Sequence, residues 1–522
     1  MKPESTTDTI QPDQMPSAEP RTLGDLLASR VAVAPQKHFL FSETDGRSFT
    51  YTEFEQAVNR TAQLLASRGI ARGNVVSLLM PNSAEYIIAY FACWKLGATA
   101  GPINSLLKAQ EISFVLTDSE TRLLLVHPEF VPTIESIRAN VPTLKDVIIF
   151  DNEAEATRGL DQLTSSDAAI NRETEAIIIY TSGTTGKPKG CLLTHGNLIA
   201  NAKQISSWLG FTQKDRLLTI MPLFHMNAVS VTTMSALYAG GSTVVSPKFS
   251  ASRFWQIISE YQITSFGSVA TMLSMLLSTY PGGVPEGLET KQLRFAMCGS
   301  APVPAEVMNR FEETFDCLVI EGYGLSESTC RSTFNPPDKR RRPGSCGMPI
   351  GNEMRVVDDD DREVKNGELG EIVLRGENIL KGYYRNPDAT AKAFRNDWFH
   401  TGDVGYRDDD GFFYIVDRKS DMIIRGGENI YPREIDEVLY QHPDVAAAAT
   451  IGVPDQLYGE EVAAFVVLKG GREATESEII DFCRARLADY KCPKSVRIVA
   501  EIPKGPTGKL LKRELSRLYA AL

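Results

Sequence analysis

The segment Tyr180-Thr181-Ser182-Gly183-Thr184-Thr185-Gly186-Lys187-Pro188-Lys189-Gly190 gathers three glycines, four aliphatic hydroxyls and two lysines behind the apolar run Ala176 to Tyr180. Glycines let backbone N–H groups approach an anion closely, and hydroxyls and lysines add donors and charge. A polyphosphate needs that combination. The spacing is not that of a Walker A loop: it reads G-x-x-G-K, and Pro188 follows the lysine. The plain alternative is a flexible Gly/Thr surface loop.

Other residues suit the rest of a nucleotide. Glu327 closes Gly322-Tyr323-Gly324-Leu325-Ser326-Glu327. It is a hard oxygen ligand, and magnesium on a nucleoside triphosphate takes one or two protein carboxylates beside phosphate oxygens. Tyr323 offers a flat face between two glycines, suited to stacking on a base. Asp403, in Thr401-Gly402-Asp403, can accept hydrogen bonds from both hydroxyls of a ribose. Arg418 can donate a fork of hydrogen bonds to ribose or phosphate. The competing readings are a turn glutamate, a core tyrosine and surface ion pairs. Gly299-Ser300-Ala301 follows the apolar stretch Leu293 to Met297, and His225 stands among apolar neighbours in Met221 to Asn227. Lys509 lies in a Gly/Pro-rich stretch with Lys504, Lys512 and Arg513, which by composition alone reads as a solvated basic tail.

Alternating helix and strand patterns must position these groups. Phe54, Val58, Thr61 and Leu65 repeat at helical spacing, with Gly69 as a stop. Val75 to Met80, Asp146 to Phe150 and Ala176 to Tyr180 read as buried strands. Asn82 with Glu85 reads as a capping box for a helix running to Gly97. Strands alternating with helices predict an α/β fold, with parallel or mixed sheets wrapped by helices in a large N-terminal domain. After Arg418-Lys419-Ser420-Asp421 the pattern restarts at smaller scale. Strands are expected at Val462 to Leu468 and Val496 to Ile502, and a helix face at Ile479, Ile480, Cys483 and Leu487. The expected organisation is a flexible leader over 1–20, a large domain over 21–417, a hinge over 418–420 and a smaller, mobile α/β domain over 421–522.

Bulk properties exclude several classes. The 522 residues are 43% hydrophobic and 23% charged, with net charge −11. Such a chain is folded, and its sign disfavours nucleic acid and anionic lipid as partners. No stretch reads as a spanning helix, since Lys95 interrupts the most apolar one. Met1 to Pro20 has no apolar core, so it reads as a loose leader rather than a signal peptide. Eight scattered cysteines without a C-x-x-C pair read as reduced thiols of a cytoplasmic protein. The run Lys339-Arg340-Arg341-Arg342 reads as a solvated loop, and Arg331 as a loop arginine facing water. The sequence leaves the oligomeric state open, a homodimer included.

Taken in order, the phosphate loop, Gly322 to Glu327, Thr401 to Asp403, Asp417-Arg418 with Gly426-Gly427-Glu428-Asn429-Ile430-Tyr431-Pro432, and Pro503 to Lys509 closely resemble the motifs of the adenylate-forming superfamily. The resemblance is greatest to its acyl-CoA synthetase, or acid–CoA ligase, branch. It implies a ligase that turns a carboxylic acid, ATP and coenzyme A into acyl-CoA, AMP and pyrophosphate through an acyl-adenylate, with Mg2+ as cofactor. Thr181, Ser182, Gly183, Thr184, Thr185, Gly186 and Lys189 would hold phosphates. Gly299, Ser300, Ala301, Gly322, Tyr323, Gly324, Leu325, Ser326, Asp403 and Arg418 would hold the nucleoside, and Glu327 with Thr184 the metal. Lys509 would bridge the substrate carboxylate and the α-phosphate. His225, Gly299 and Gly322 would border the acyl group, His225 gating access or orienting the carboxylate. Lys248, Gly426 and Gly427 would meet coenzyme A, and Ser420 would be the pivot. Gly322 stands where malonate-specific relatives carry arginine, which disfavours malonate and predicts a wider pocket, and the apolar stretch around Met226 and Val229 predicts an acid with an aromatic or aliphatic body. A carrier-loading adenylating enzyme, a luciferase-like oxygenase and a non-catalytic nucleotide scaffold are the alternatives.

Overall fold

The computed structural model describes residues 19–163, 169–181, 188–299, 303–503 and 511–521. The expected leader up to residue 18, and Ser182, Gly183, Thr184, Thr185, Gly186, Ser300, Ala301 and Lys509, lie outside the described residues.

Two seven-stranded sheets form the frame. The first runs in the spatial order Leu318–Glu321, Phe295–Cys298, Ser265–Ser268, Arg216–Thr219, Ser242–Val245, His38–Ser42 and Ser48–Thr50. All its neighbours pair in parallel except the last two strands. The second runs Gly382–Tyr383, Lys189–Thr194, Glu175–Thr181, Thr99–Pro102, Val75–Leu79, Leu123–Val126 and Asp146–Ile149. Its five consecutive strands from Glu175–Thr181 onward are parallel, whereas Lys189–Thr194 returns antiparallel to Glu175–Thr181. The sheets are therefore mixed rather than purely parallel. The seven-residue span between the 175–181 and 189–194 strands is too short for a helical crossover, so the chain must double back.

Local sequence accounts for the elements that bring the site together. Tyr51–Ser67 is a helix because Thr50 and Glu53 cap each other reciprocally. It buries Phe54, Val58, Thr61 and Leu65 as the spacing predicts. His195–Leu209 starts at Thr194 and stops at Gly210, whose φ of 63° is left-handed. The helix Ala84–Lys95 is capped by Ser83, not by Asn82. Asn82 is buried instead and ties three loops, donating to Met221 O and Ser246 O and accepting from Leu223 N. Asp146–Ile149 is a strand, but as the last strand of its sheet it is only partly covered, and Ile149 is exposed.

A third, antiparallel sheet joins Glu353–Val357, Gly370–Arg375, Trp398–Arg407 and Phe394–Arg395, with Phe413–Arg418 paired to the long 398–407 strand. The expected solvated run Lys339 to Arg342 is more engaged than its composition suggests. Arg341 pairs with Glu312, and Arg342 reaches Asp408 and Asp410 while lying over the Phe412 ring.

From Ile423 onward a smaller mixed sheet is built from Glu428–Ile430, Ile423–Arg425, Gly459–Leu468, Val445–Asp455 and Ser495–Ile498. The 459–468 strand shows the period of two directly. Val462, Ala464 and Val466 enter one apolar cluster, while Ala463 and Phe465 enter another on the opposite face. Neither cluster shares a buried residue with the main core, which spans Leu23 to Phe413. All eight cysteines are free and buried. No helix among the described residues is long and apolar enough to cross a membrane.

Candidate active site

The carboxyl ends of parallel strands are where open α/β sheets place ligands. In the first sheet, Ser268, Cys298 and Glu321 stand at those ends. Gly322 N–H donates to Cys298 O at 3.0 Å and carries the pairing one residue further. The chain then turns back on itself. Ser332 N–H and Thr333 N–H both donate to Tyr323 O, and Asn335 N–H donates to Glu321 O. Gly324 makes this return possible, because a Cβ there would lie 2.0 Å from Cys330 O.

Tyr323 is fixed by this fold-back and aims its hydroxyl at Asp403, donating to Oδ2 at 2.6 Å. Arg418 Nε lies 3.2 Å from the other oxygen, Oδ1. Asp403 is buried, and its N–H is held by Thr401 Oγ1 at 3.0 Å. Strand pairing sets the second contact, since Asp403 and Arg418 are register partners. Burial opposes the Arg418 charge, but Asp403, Tyr323, Asp421 and Glu327 outweigh it and raise its pKa. Burial, then Asp403, pushes the Tyr323 hydroxyl well above its ordinary value, so it stays a donor. Three residues expected to meet base and ribose are thus in one hydrogen-bonded row.

The phosphate side is framed on the second sheet. Thr181 and Lys189 are strand partners, so the two ends of the glycine-rich loop are pinned side by side. Lys189 Nζ lies 5.4 Å from the centroid of the Tyr383 ring, and the Tyr383 hydroxyl donates to Glu327 Oε1 at 3.1 Å. Glu327 sits on a single 3-10 turn, Ser326–Ser328, anchored where Leu380 N–H donates to Glu327 O at 2.7 Å. Two residues on, Thr329 is wholly buried with φ 66°, a strained value for a β-branched residue. Its hydroxyl is tied to Asn378 O at 2.7 Å. Among the described residues no group of three or more His, Cys, Asp or Glu could hold a metal. Glu327 offers a single carboxylate with one oxygen engaged, which fits an ion that takes its other ligands from phosphates and water.

The segment expected to border the acyl group is built differently from its surroundings. His225 opens a buried segment in which Asn227–Met234 winds as a π-helix, a form that recurs at functional sites. Burial pushes the His225 imidazole down to about 4, so it is neutral near pH 7. Met226 and Val229 are buried as expected. Gly267 pairs with Met297, so Gly267, Gly299 and Gly322 share one sheet face. The space beside Gly322 is not open. A Cβ there would meet the Phe334 ring at 2.5 Å and Thr333 O at 2.6 Å, because the fold-back lays those residues over it. Arg331 does not face water: it is 1% exposed.

Of the residues expected to meet coenzyme A, Lys248 is exposed in the loop between Ser242–Val245 and Ala251–Glu260. Gly426 and Gly427 form the two-residue turn between Arg425 and Glu428, with φ of 61° and 91°. Both are exposed. Ser420 is exposed in the turn after the 413–418 strand, closed by Asp421 N–H donating to Arg418 O at 3.0 Å. Here the smaller unit contacts the larger. Asp417 Oδ2 accepts from Arg433 N–H at 3.1 Å in the first turn of the helix Pro432–Tyr440, where the helix dipole favours an anion. The Arg433 guanidinium donates to Ile415 O. Its field also reaches buried Glu321, whose carboxyl burial pushes up to about 7.

Sequence reasoning missed Tyr383, Asn227, Glu321 and Arg433. Tyr383 stands in Lys381-Gly382-Tyr383-Tyr384, where the paired aromatics were a usable signal. The other three lie within apolar or charged stretches that give none.

Two family models match this chain: AMP-binding enzyme over residues 27–384 and AMP-binding enzyme C-terminal domain over residues 434–509. The chain belongs to the AMP-binding enzyme family. It is 37% identical over 502 residues to the sulfoacetate–CoA ligase of Cupriavidus necator, covering 95% of this chain and 97% of that one. It is also 37% identical over 511 residues to the long-chain-fatty-acid–CoA ligase FadD13 of Mycobacterium tuberculosis, covering 96% and 99%. Among solved structures it resembles ATP-bound MatB from Rhodopseudomonas palustris, with TM-score 0.89, 30% identity and coverage of 95% and 99%. The anthranilate CoA ligase AuaEII in complex with anthranoyl-AMP gives TM-score 0.88, 31% identity and coverage of 97% and 99%. The AMP-binding enzyme is thus an AMP-forming acyl-CoA synthetase that uses ATP.

Proposed function

We propose that this synthetase divides its two half-reactions between the carboxyl edge of the first sheet and the smaller C-terminal unit. Tyr323, Asp403 and Arg418 hold the nucleoside, and the loop from Thr181 to Lys189 holds the phosphates. Glu327, with Thr184, would hold a magnesium ion, which when bound would neutralise phosphate charge. The acid carboxylate attacks the α-phosphorus, pyrophosphate leaves, and an acyl-adenylate forms. Carboxylate is a poor electrophile, and the mixed anhydride supplies both an electrophilic carbonyl and a good leaving group. Lys509 brings the two anions together and stabilises charge growing on the α-phosphate. His225, neutral near pH 7, guides the carboxylate by hydrogen bonding rather than by charge.

In the second half-reaction the 421–522 domain turns about residues 418–420 and removes Lys509 from the site. The Gly426–Gly427 turn then lines the path of the coenzyme A thiol, with Lys248 at its mouth. The thiol attacks the acyl carbonyl, AMP leaves, and the thioester forms. Eight buried free thiols suit a reducing cytoplasm.

The observation that carries this reading is the row Tyr323–Asp403–Arg418, formed where the carboxyl edge of the first sheet meets the third sheet, with Glu327 near enough to act on the Arg418 charge. The test is to incubate the protein with ATP, Mg2+, CoA and a panel of acids. AMP, pyrophosphate and a thioester are expected in equal amounts. Pyrophosphate exchange that ignores free CoA would indicate a carrier-loading enzyme. The acid itself is not fixed by kinship, since the relatives' names range from sulfoacetate to long-chain fatty acid.

A further inference from the structure

Arg331 is the largest polar side chain among those fully buried in the described residues. Its backbone is held from two sides. Asn201 Nδ2 donates to its carbonyl at 2.7 Å and Asn201 Oδ1 accepts its N–H at 3.4 Å. Asn378 Nδ2 reaches the same carbonyl at 3.4 Å. Ser230, in the π-helix, donates to Asn201 Oδ1 at 2.8 Å and fixes that clamp in turn.

The guanidinium head is not satisfied in the same way. Nε and Nη2 are buried without a hydrogen-bond partner. No described carboxylate lies within ion-pair distance of it. Glu321 is the carboxyl that feels its field, and burial drives that group toward its neutral form. The Arg331 head rests 5.4 Å from the Phe334 ring centroid and against Gly299, where a Cβ would fall 2.6 Å from Nη2. On the same sheet face, buried Asn227 leaves both Nδ2 and Oδ1 without partners. Its Oδ1 would meet a Cβ on Gly267 at 2.8 Å. At both glycines the place a Cβ would take is filled by an unsatisfied polar head.

An enclosed cation without a counter-ion is strongly unfavourable, and folds retain one where something completes it. We infer that Arg331 receives a second anionic group on the acid: a carboxylate, sulfonate or phosphonate at the end away from the reacting carboxylate. This deepens the acyl-CoA synthetase reading and rests on it. Gly299, against which the guanidinium rests, is among the residues expected to border the acyl group. The inferred acid is charged at both ends and so differs from the apolar-bodied one that the stretch around Met226 and Val229 predicts.

The test compares malonate, succinate and 3-sulfopropionate with propionate, butyrate and valerate, following AMP release with ATP and CoA. At least one dianion should exceed every monoanion in kcat/KM by about 10²-fold or more, as expected when a site is built to bond a substrate group its rival lacks. Arg331→Met should abolish that preference, chiefly through KM, while monoanions hold or improve, and Arg331→Lys should recover part of it. Equal loss with all acids would mark Arg331 as structural only and overturn the inference. So would a wild-type preference for monoanions, which leaves the synthetase reading intact. No AMP with any acid would remove both. Should Arg331→Met fail to fold, thermal protection of the wild type beside a non-hydrolysable ATP analogue decides: protection by succinate supports the anchor, and protection by valerate alone refutes it.

Discussion

Replacing Glu321 with glutamine tests the electrostatics of the sheet edge without touching its shape. The Glu321 side chain is buried, Oε1 accepts from Val303 N–H at 3.3 Å, and Oε2 has no partner. Burial raises its pKa from an ordinary 4.5 to about 7, against the pull of Arg433 and Arg331. At ~1.36 kcal/mol per pH unit, that difference amounts to about 3 kcal/mol. The sign follows from proton counting. Between pH 4.5 and 7 the folded state binds more protons at this site than the unfolded state, so stability falls as pH rises. Glutamine keeps the acceptor for Val303 and cannot ionise. Glu321→Gln should therefore gain on the wild type progressively from about pH 4.5 to pH 7, approaching ~3 kcal/mol by pH 8. Urea unfolding followed by tryptophan emission reads this directly, because Trp94, Trp208, Trp255 and Trp398 all precede the small unit. Asp436, which burial raises to about 6, titrates in both proteins and cancels in the difference. A difference that stays flat with pH, or that shrinks as pH rises, would falsify the assignment of a buried, uncompensated carboxyl.

Three further outcomes are expected. Tyr323→Phe removes the 2.6 Å donor to Asp403, at a cost of about 1 kcal/mol; the KM for ATP should rise about 5-fold with kcat little changed, and an unchanged KM would take Tyr323 out of the nucleotide site. Lys509→Ala should slow adenylate formation by about 10²–10³-fold yet spare thioester formation from supplied acyl-adenylate. Equal loss of both steps, measured by single turnover, would refute the division between the two half-reactions. Gly427→Leu meets open space but adopts φ 91°. It should fold with a penalty of about 1 kcal/mol while blocking CoA turnover and leaving pyrophosphate release intact.

Much of this molecule was legible where chemistry constrains residue type locally. Glycine-rich and acid-bearing motifs announced Tyr323, Glu327, Asp403 and Arg418; the structure joins all but Glu327 by direct contacts and links Glu327 through Tyr383 to Lys189. The strand and helix periods that the sequence shows match elements to within a few residues, as at Tyr51–Ser67, Val75–Leu79, Gly459–Leu468 and Ser495–Ile498. What escaped depends on contacts between distant segments. Asn82 has the right neighbours for a helix cap, but it is claimed by Met221, Leu223 and Ser246. Arg331 looks like a loop residue until Asn201, 130 positions away, clamps its backbone inside. Glu321 gives no sign of its altered acidity because the cause, enclosure beneath the fold-back, is written in residues 332–335 rather than beside it.

The sulfur atoms offer a use of their own. Six of the eight cysteines precede Arg418 and two, Cys483 and Cys492, follow it, yet none is open to solvent in the folded chain. A thiol-labelling reagent should then react only as fast as each half of the polypeptide opens. Mass increments of two labels or of six would tell which half lets go first, so the native protein carries its own two-channel stopwatch for local unfolding.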